Sequence, residues 1–335
     1  MGTDGVARRV TSRRRLLLTG AALALGAAVG RTGSAAAAPP ACAVPPREPL
    51  PFAPPDPAAS WAAPSGPVVT TVTPSAAGYE YRVGGQPETI RGMGYNPMLT
   101  DSDQDARRGR LDRDLGLMAD TGVNTVVGWN PAVLDGLALD VAHRHGLGVA
   151  LPFDVDFTVD VTQPAAREEL TAAVLAWVDQ YRQHPAVRLW AVGNEVLERL
   201  VPPAWCADRP SESQDAWATA WSSLLVDLAD QIHARDRHHP VLYREAEDAY
   251  APWLARALAA RPGDRPWLVY GINAYTPRLG EMLDTWPARG IPSPLLVSEF
   301  APLNAPRGER VDQLRAIWGV IRSRSRQVLG GAVYV

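Results

Sequence analysis

The sequence contains no lysine, so all 33 residues of its combined lysine and arginine count are arginines. The phosphate-binding loop of P-loop enzymes requires a lysine, and enzymes that form Schiff bases require its ε-amine. The absence of lysine therefore excludes both classes of enzyme. The net charge of −3 predicts no basic surface for nucleic acid, and small neutral ligands fit this composition better.

Two missing motifs narrow the function further. No G-x-G-x-x-G motif follows the first predicted strand, so a dinucleotide-binding fold has no support. No G-x-S-x-G motif is present, so an esterase would lack its nucleophile motif. We expect neither a metal ion nor another cofactor, because the histidines fall on predicted helices or near their ends. These histidines are five of the six in the sequence: His143, His145, His184, His238 and His239.

The amino terminus has the pattern of an export signal. Residues 12–17, SRRRLL, resemble a twin-arginine signal, and an apolar run from Leu16 to about Val29 follows. Small residues suited to signal cleavage come next. We expect residues 1–38 to be removed after Ala38 and the protein to be exported to the cell envelope or beyond. An uncleaved membrane anchor is the alternative, although the apolar run is short for a bilayer.

The cleavage site decides the chemistry of the two cysteines. Cleavage after Ala38 keeps Cys42, which could form a disulfide bond with Cys206 in an oxidising compartment. Cleavage after Ala43 removes Cys42 and leaves Cys206 as a lone thiol. Both outcomes remain open from the sequence.

The rest of the chain divides into a linker and one domain. Residues 39–67 contain 11 prolines, a density that blocks both helix and sheet and predicts a stiff linker. Residues 68–335 then form the predicted catalytic domain, whose length suits a single large α/β barrel.

Within this domain, short apolar or β-branched runs alternate with segments of helical periodicity. Eight runs predict strands: Thr89–Tyr95, Val123–Trp129, Gly148–Phe153, Val187–Gly193, Val241–Arg244, Trp267–Ala274, Pro294–Phe300 and Val328–Val335. Seven amphipathic segments predict helices: Arg107–Thr121, Ala132–His145, Ala165–Gln183, Gln214–Arg235, Ala251–Ala260, Gly280–Ala288 and Gly308–Arg324. This alternation predicts a (β/α)8 TIM barrel, with an open doubly wound sheet as the alternative.

No eighth helix follows the eighth predicted strand, inside which the sequence ends at Val335. Either residues 44–88 cover the barrel edge that this leaves, or the sequence given is incomplete. We favour the second explanation, because uncovered apolar edge strands promote aggregation.

Two of the predicted strands end in glutamates. The fourth run is followed by Asn194 and Glu195, and the seventh contains Ser298 and Glu299 near its end. In TIM barrels the active site lies at the carboxyl ends of the strands. Two carboxylates that face each other there suit the cleavage of a glycosidic bond, because one protonates the leaving oxygen while the other attacks the sugar carbon. Each glutamate alone could instead stabilise a helix amino terminus.

The segments LWAVGNEV and LLVSEF, with IRGMGYNPM on the first predicted strand and GINAY on the sixth, resemble glycoside hydrolase clan A. The resemblance covers Thr89 to Val335 in motif order. Within the clan, the segments resemble most the β-1,3-glucanosyltransferase family and the catalytic barrels of family 2. The resemblance implies a TIM barrel and a retaining glycosidase.

Individual roles follow from this resemblance. It implies that Glu195 is the general acid/base and Glu299 the nucleophile. It also implies that Asn194 binds the sugar 2-hydroxyl and that Tyr275 keeps the nucleophile ionised. More loosely, it implies sugar contacts from strands one, two and eight, made by Tyr95, Asn96, Trp129 and Tyr334.

Several of these looser positions have structural alternatives. Trp129 could cap the helix that follows it, and Tyr95 and Tyr334 could fill the top of the barrel. For Arg91, a buried ion pair inside the barrel is a better expectation than a substrate contact.

We therefore expect an exported, metal-independent, retaining glycoside hydrolase or transglycosidase that needs no cofactor. Its partner would be a β-linked polysaccharide or oligosaccharide, and it would contact the membrane only through its export signal and act as a monomer. A non-catalytic carbohydrate-binding or cell-surface protein on the same barrel is the alternative. The presence of both Glu195 and Glu299 favours the enzyme.

Overall fold

The computed structural model describes residues 66–76, 78–97, 103–156, 158–202, 210–302 and 305–334. The predicted export signal, residues 1–38, and the predicted linker up to residue 65 lie outside the described residues. Cys42 and Cys206 lie outside them as well.

Strands and helices alternate along most of the described chain. Its strands are β1 (Thr70–Ser75), β2 (Gly78–Val83), β3 (Gln86–Pro87), β4 (Ile90–Gly94), β5 (Thr125–Val127), β6 (Gly148–Phe153), β7 (Val187–Asn194), β8 (Val241–Ala246), β9 (Leu268–Ala274), β10 (Leu295–Phe300) and β11 (Val328–Val333). Its α-helices are α1 (Gln104–Asp120), α2 (Gly136–Arg144), α3 (Pro164–Tyr181), α4 (Glu212–Arg235), α5 (Ala251–Ala259), α6 (Leu279–Thr285) and α7 (Arg310–Arg322), and a 3-10 turn covers Trp286–Arg289.

Strands β4 to β11 form a closed parallel barrel in chain order. The barrel closes where β11 pairs with β4, with Gly330 opposite Ile90 and Val333 opposite Met93. Seven α-helices separate the eight strands, so the predicted TIM barrel is confirmed and the open doubly wound sheet is wrong. Each predicted strand coincides with one barrel strand to within two residues, and each predicted helix with one α-helix to within four.

Polar side chains fix several of these helix starts. Asp103 precedes α1 and accepts hydrogen bonds from the N–H groups of Asp105 and Ala106. Ser211 and Gln214 form a capping box at the start of α4. Such caps pair backbone donors that a helix leaves free at its amino end, which is why the helices begin at these residues.

A three-stranded antiparallel sheet, β1 to β3, was not predicted and closes the barrel floor. The Thr70 N–H donates to His238 O at 2.7 Å, and the Tyr79 N–H donates to Arg326 O at 3.1 Å. His238 and Arg326 both precede barrel strands, so the sheet lies at the amino-terminal end of the barrel. From this sheet, Tyr81 packs into the barrel interior and is 2% exposed.

The core has two layers, inside and outside the barrel. Small and branched residues fill the barrel itself: Ile90, Val127, Ala150, Leu189, Ala191, Leu242, Val269, Leu296, Leu329 and Ala332. Larger side chains, among them Trp177 and Trp221, pack between the barrel and its helices. No helix of the described residues is long and apolar enough to span a bilayer.

The floor sheet yields a stability prediction. Tyr81→Ala should lower the free energy of unfolding by about 3–5 kcal/mol, because it empties a buried site beneath the barrel. Tyr79→Ala is the matched control, since Tyr79 is only half-buried and contributes one hydrogen bond to Pro292 O. Urea unfolding would measure both variants. Equal losses would show that the sheet does not support the barrel.

Candidate active site

Irregular strand pairing places the two predicted catalytic glutamates at the barrel mouth. The pairing of β7 with β8 shifts between Ala191 and Asn194, and that of β10 with β9 shifts between Leu296 and Glu299. Consecutive side chains of a regular strand point to opposite faces, whereas a shift lets two neighbours share one face. Glu195 also has a φ of +50°, a backbone conformation that is uncommon for residues other than glycine.

One side-chain amide, that of Asn273 on β9, joins these strands. Its Nδ2 lies 2.8 Å from Glu195 Oε1, 2.8 Å from Glu299 Oε1 and 3.1 Å from Asn194 Oδ1. Ser298 Oγ donates to Asn273 Oδ1 at 2.8 Å, which fixes the orientation of the amide. The two glutamate oxygens share one nitrogen, so they are at most twice 2.8 Å, or 5.6 Å, apart.

Glu299 is nearly enclosed and accepts three hydrogen bonds. Only 5% of the residue is exposed. Trp129 Nε1 donates to Oε1 at 2.5 Å, Asn273 Nδ2 donates to the same oxygen, and the Tyr275 hydroxyl donates to Oε2 at 2.6 Å. A carboxylate accepts hydrogen bonds on both oxygens, so this set of donors suits the ionised form of Glu299.

Opposing effects act on the pKa of Glu299. Burial, followed by the negative charge of Glu195, raises this pKa to about 7. The hydrogen bond from Tyr275, the charge of Arg244 and the hydrogen bond from Trp129 act in the opposite direction. The contacts of Tyr275, Arg244 and Trp129 therefore favour the ionised form of Glu299, against its burial and the charge of Glu195.

Arg244 supplies a positive charge below the two glutamates. It lies on β8, is 1% exposed and donates through Nη1 to Gly128 O at 2.8 Å. Burial lowers its pKa to about 10, against the effect of the neighbouring carboxylates, so the guanidinium stays charged at neutral pH. Gly271 makes room for it, because a Cβ at that position would lie 2.8 Å from Arg244 Cγ.

Three aromatic residues form a wall beside Glu299. The rings of Trp129 and Tyr334 meet edge to face at 5.2 Å, and those of Tyr275 and Tyr334 at 6.1 Å. Tyr334 is 40% exposed, so part of this wall faces solvent. Gly94 leaves the space that Trp129 occupies, because a Cβ there would lie 2.5 Å from its Cη2.

The structure places other predicted contact residues away from the carboxylates. Tyr95 is 7% exposed and donates to Asp114 Oδ2 of α1 at 3.1 Å, so it packs between the barrel and α1 and does not line the cleft. Asn96 is exposed after β4 and makes no described contact with either glutamate. The expectation for Arg91 is wrong, because its side chain is exposed and donates to Gly122 O at 2.7 Å.

The alternation of side chains along a strand explains why Arg91 and Tyr95 do not lie where they were expected. It also shows how two further site residues could have been found. Ile90 faces the barrel interior, so Arg91 and Tyr95, at odd offsets from it, face outward. By the same rule, Arg244 follows the interior residue Leu242, and Asn273 follows Val269 by four residues. Asn273 and Arg244 were missed as site residues, although counting along β8 and β9 from those interior residues places both inside the barrel.

No protein-family model and no curated protein matches the chain. Solved structures are similar to it. They include β-glucuronidase from Bacteroides uniformis, with a TM-score of 0.61 and 14% identity over 79% of this chain and 32% of that one. A GH2 β-galacturonidase from Eisenbergiella tayi has a TM-score of 0.52 and 14% identity over 79% and 46%. ScGas2, in complex with compound 6, has a TM-score of 0.55 and 21% identity over 82% and 62%.

These neighbours are glycosidases of clan A. The chain shares the TIM-barrel fold of these structures. It spans about a third of the length of the β-glucuronidase and less than two thirds of the other two chains. At these identities the likeness shows the fold, and activity has to be argued from the site.

The raised pKa of Glu299 predicts a pH-dependent stability effect. Folded Glu299 holds its proton to about pH 7, whereas an unfolded glutamate releases it near 4.5, so the parent loses stability as the pH rises between these values. Glu299→Gln has no charge to bury and keeps an acceptor for Trp129. Its unfolding free energy should match the parent at pH 4 and exceed it by about 2–3 kcal/mol at pH 8.

Urea unfolding at the two pH values measures this difference. Glu169→Gln is the control, because it removes the same charge from the exposed side of α3 and should follow the parent at both pH values. A Glu299→Gln variant that gained no stability at pH 8 would contradict the unfavourable burial of this carboxylate.

Proposed function

We propose that the protein is a retaining glycoside hydrolase or transglycosidase that cleaves β-glycosidic bonds of a polysaccharide or oligosaccharide. The observation that carries this proposal is the shared contact of Glu195 and Glu299 with Asn273 at the barrel mouth. Retaining glycosidases hold their carboxyl groups about 5–5.5 Å apart, and inverting ones about 6.5–9.5 Å apart. The bound of 5.6 Å between the nearest oxygens supports the retaining arrangement.

The proposed reaction has two displacements. In the first, Glu299 attacks the anomeric carbon while Glu195 protonates the departing glycosidic oxygen, which leaves a glycosyl ester on Glu299. In the second, Glu195 removes a proton from water or from a sugar hydroxyl, and the resulting oxygen displaces Glu299 from the sugar. Water gives hydrolysis, and a sugar hydroxyl gives transglycosylation.

The surroundings of the two glutamates support this division of roles. Three hydrogen-bond donors and the charge of Arg244 favour ionised Glu299, as a nucleophile requires. Glu195 receives one hydrogen bond from Asn273 and lies beside a second carboxyl group, that of Glu198. A site that keeps one carboxyl ionised and lets its neighbour hold a proton is what general acid catalysis needs.

The remaining residues suit a sugar-binding role. Asn194 lies beside Glu195, where it would bind the 2-hydroxyl of the sugar next to the cleaved bond. Trp129 and Tyr334 would contact an apolar sugar face, while Tyr275 holds Glu299. Asn96 would contact a sugar unit at the rim of the mouth.

The setting of the reaction is also a proposal. The amino-terminal pattern of residues 1–38 supports export to the cell envelope or beyond, with an uncleaved membrane anchor as the alternative. We further propose that the protein acts as a monomer, without a metal ion or another cofactor.

Leaving groups of different quality test the two roles. Glu195→Ala should lower hydrolysis of an unactivated β-linked oligosaccharide by ~10²–10⁴, because no proton reaches the leaving oxygen. The same variant should form the glycosyl-enzyme almost normally from a nitrophenyl β-glycoside, whose leaving group departs unprotonated. Glu299→Ala should lose both activities, because no covalent intermediate can form. Stopped-flow and steady-state kinetics on a panel of β-glycosides would measure these effects.

Azide and a matched variant complete the test. Azide should restore turnover of the Glu195 variant with retained configuration and of the Glu299 variant with inverted configuration. Glu247→Ala is the control, because Glu247 also follows a barrel strand with a positive φ, 41°, and should not alter the leaving-group dependence. Equal losses on both substrates, or the opposite stereochemistry, would overturn the assigned roles. Binding of β-glycans without any turnover by the parent would favour the non-catalytic alternative.

A further inference from the structure

Glu245 is a fully buried carboxyl group directly behind the candidate acid/base. It lies on β8, and its relative exposure is 0%. Its Oε2 accepts hydrogen bonds from the Leu197 N–H at 2.9 Å and from the Tyr243 hydroxyl at 2.6 Å, and its Oε1 accepts one from the Ala246 N–H at 3.0 Å. The proposed reaction gives Glu245 no role, and a buried carboxyl group is costly to retain without one.

The bond to Leu197 ties Glu245 to the turn that carries Glu195. Glu195 leaves β7 with a positive φ, and its own N–H donates to Arg244 O at 3.0 Å. Two residues later, Leu197 is 1% exposed, so its N–H would be buried without a partner if Glu245 did not accept from it. A second buried donor, Trp221 Nε1, donates a hydrogen bond to the Tyr243 hydroxyl at 3.3 Å and so helps to hold this hydroxyl in position.

The same turn holds a second carboxyl group against the acid/base. Glu198 lies within hydrogen-bond reach of Glu195, and a hydrogen bond between two carboxyl groups requires a shared proton on one of them. Burial, then the charges of Glu195 and Glu245, raises the pKa of Glu198 well above its usual range, although part of this side chain is exposed. Glu245 therefore acts electrostatically on a carboxyl pair that it also holds in place.

Other titratable groups face these three carboxyl groups from the surrounding elements. They are Arg244, Tyr243, Tyr250, Tyr270, Tyr275, Glu299 and Arg199. Arg244 and Arg199 oppose proton retention by the pair, whereas Glu299 favours it.

We propose that Glu245 is a positioning residue for the acid/base, which anchors the turn that carries Glu195 and whose negative charge keeps the shared proton on the Glu195–Glu198 pair. The proposal rests on the proposed function of Glu195. Burial raises the pKa of Glu245 to about 7, so this group becomes charged as the pH passes neutrality. The charge thus arises in the pH range in which it opposes loss of the proton that the leaving oxygen needs.

Glu245→Gln separates the two parts of this role. Glutamine keeps an oxygen for the Leu197 N–H but carries no charge. On an unactivated β-linked oligosaccharide, the alkaline limb of the pH profile of kcat/KM should move down by about one pH unit, because the variant lacks a negative charge that opposes loss of the proton. On a nitrophenyl β-glycoside, which needs no general acid, the limb should not move.

Two variants complete the kinetic test. Glu245→Ala removes the acceptor as well, so its kcat on the oligosaccharide should fall at least tenfold below that of Glu245→Gln at the optimum pH of each variant. Glu169→Gln on α3 should leave both profiles unchanged. Equal kcat values for the glutamine and alanine variants would overturn the anchoring role, and an unmoved alkaline limb would overturn the electrostatic role.

Carbon-13 NMR of glutamate-labelled protein tests the proposal without any turnover. The carboxyl signals of Glu195 and Glu198 can be assigned from Glu195→Gln and Glu198→Gln. In Glu245→Gln, the pair should lose its shared proton at a pH about one unit lower than in the parent, and in Glu169→Gln at the parent value. An unchanged midpoint would contradict the electrostatic role. A shifted midpoint in a protein that hydrolyses no β-glycoside would instead place the failure in the proposed function.

Discussion

The short separation of two carboxyl groups, those of Glu195 and Glu299, is the constraint on which the site depends. Glu195 and Glu299 would repel each other if both were ionised, and Asn273 alone cannot neutralise that repulsion because it contributes no charge. The surroundings of the two glutamates differ, because Glu299 accepts from three hydrogen-bond donors whereas Glu195 lies beside another carboxyl group. The two glutamates thus differ in their hydrogen-bond partners and charged neighbours, although they are the same residue type.

The barrel provides those partners because closure brings distant strands together. Trp129 reaches Glu299 from β5, across a sequence separation of 170 residues, and Tyr334 follows the strand that closes the ring. Parallel strands all end at the same rim, so every residue that follows a strand can contribute. The floor sheet closes the opposite end, where Tyr81 fills the interior.

Much of this arrangement was predictable from the sequence, and the part that was not has a physical cause. Apolar periodicity located every barrel strand, and position at strand ends singled out Glu195 and Glu299. Alternation within a strand would also have placed Tyr95 outside the barrel and Asn273 inside it, had it been applied. The register shifts in β7 and β10 are different, because they arise from pairing with neighbouring strands and leave no local pattern.

The contact of Gly94 with Trp129 links an apolar position to the charge of the site. The missing side chain of Gly94 is what lets the indole of Trp129 lie where it can donate to Glu299. During divergence of such a barrel, positions 94 and 129 would be free to change only together. If position 94 carried a larger residue, position 129 would need a shorter hydrogen-bond donor. The two positions should therefore vary as a pair among relatives that keep an ionised carboxylate at position 299.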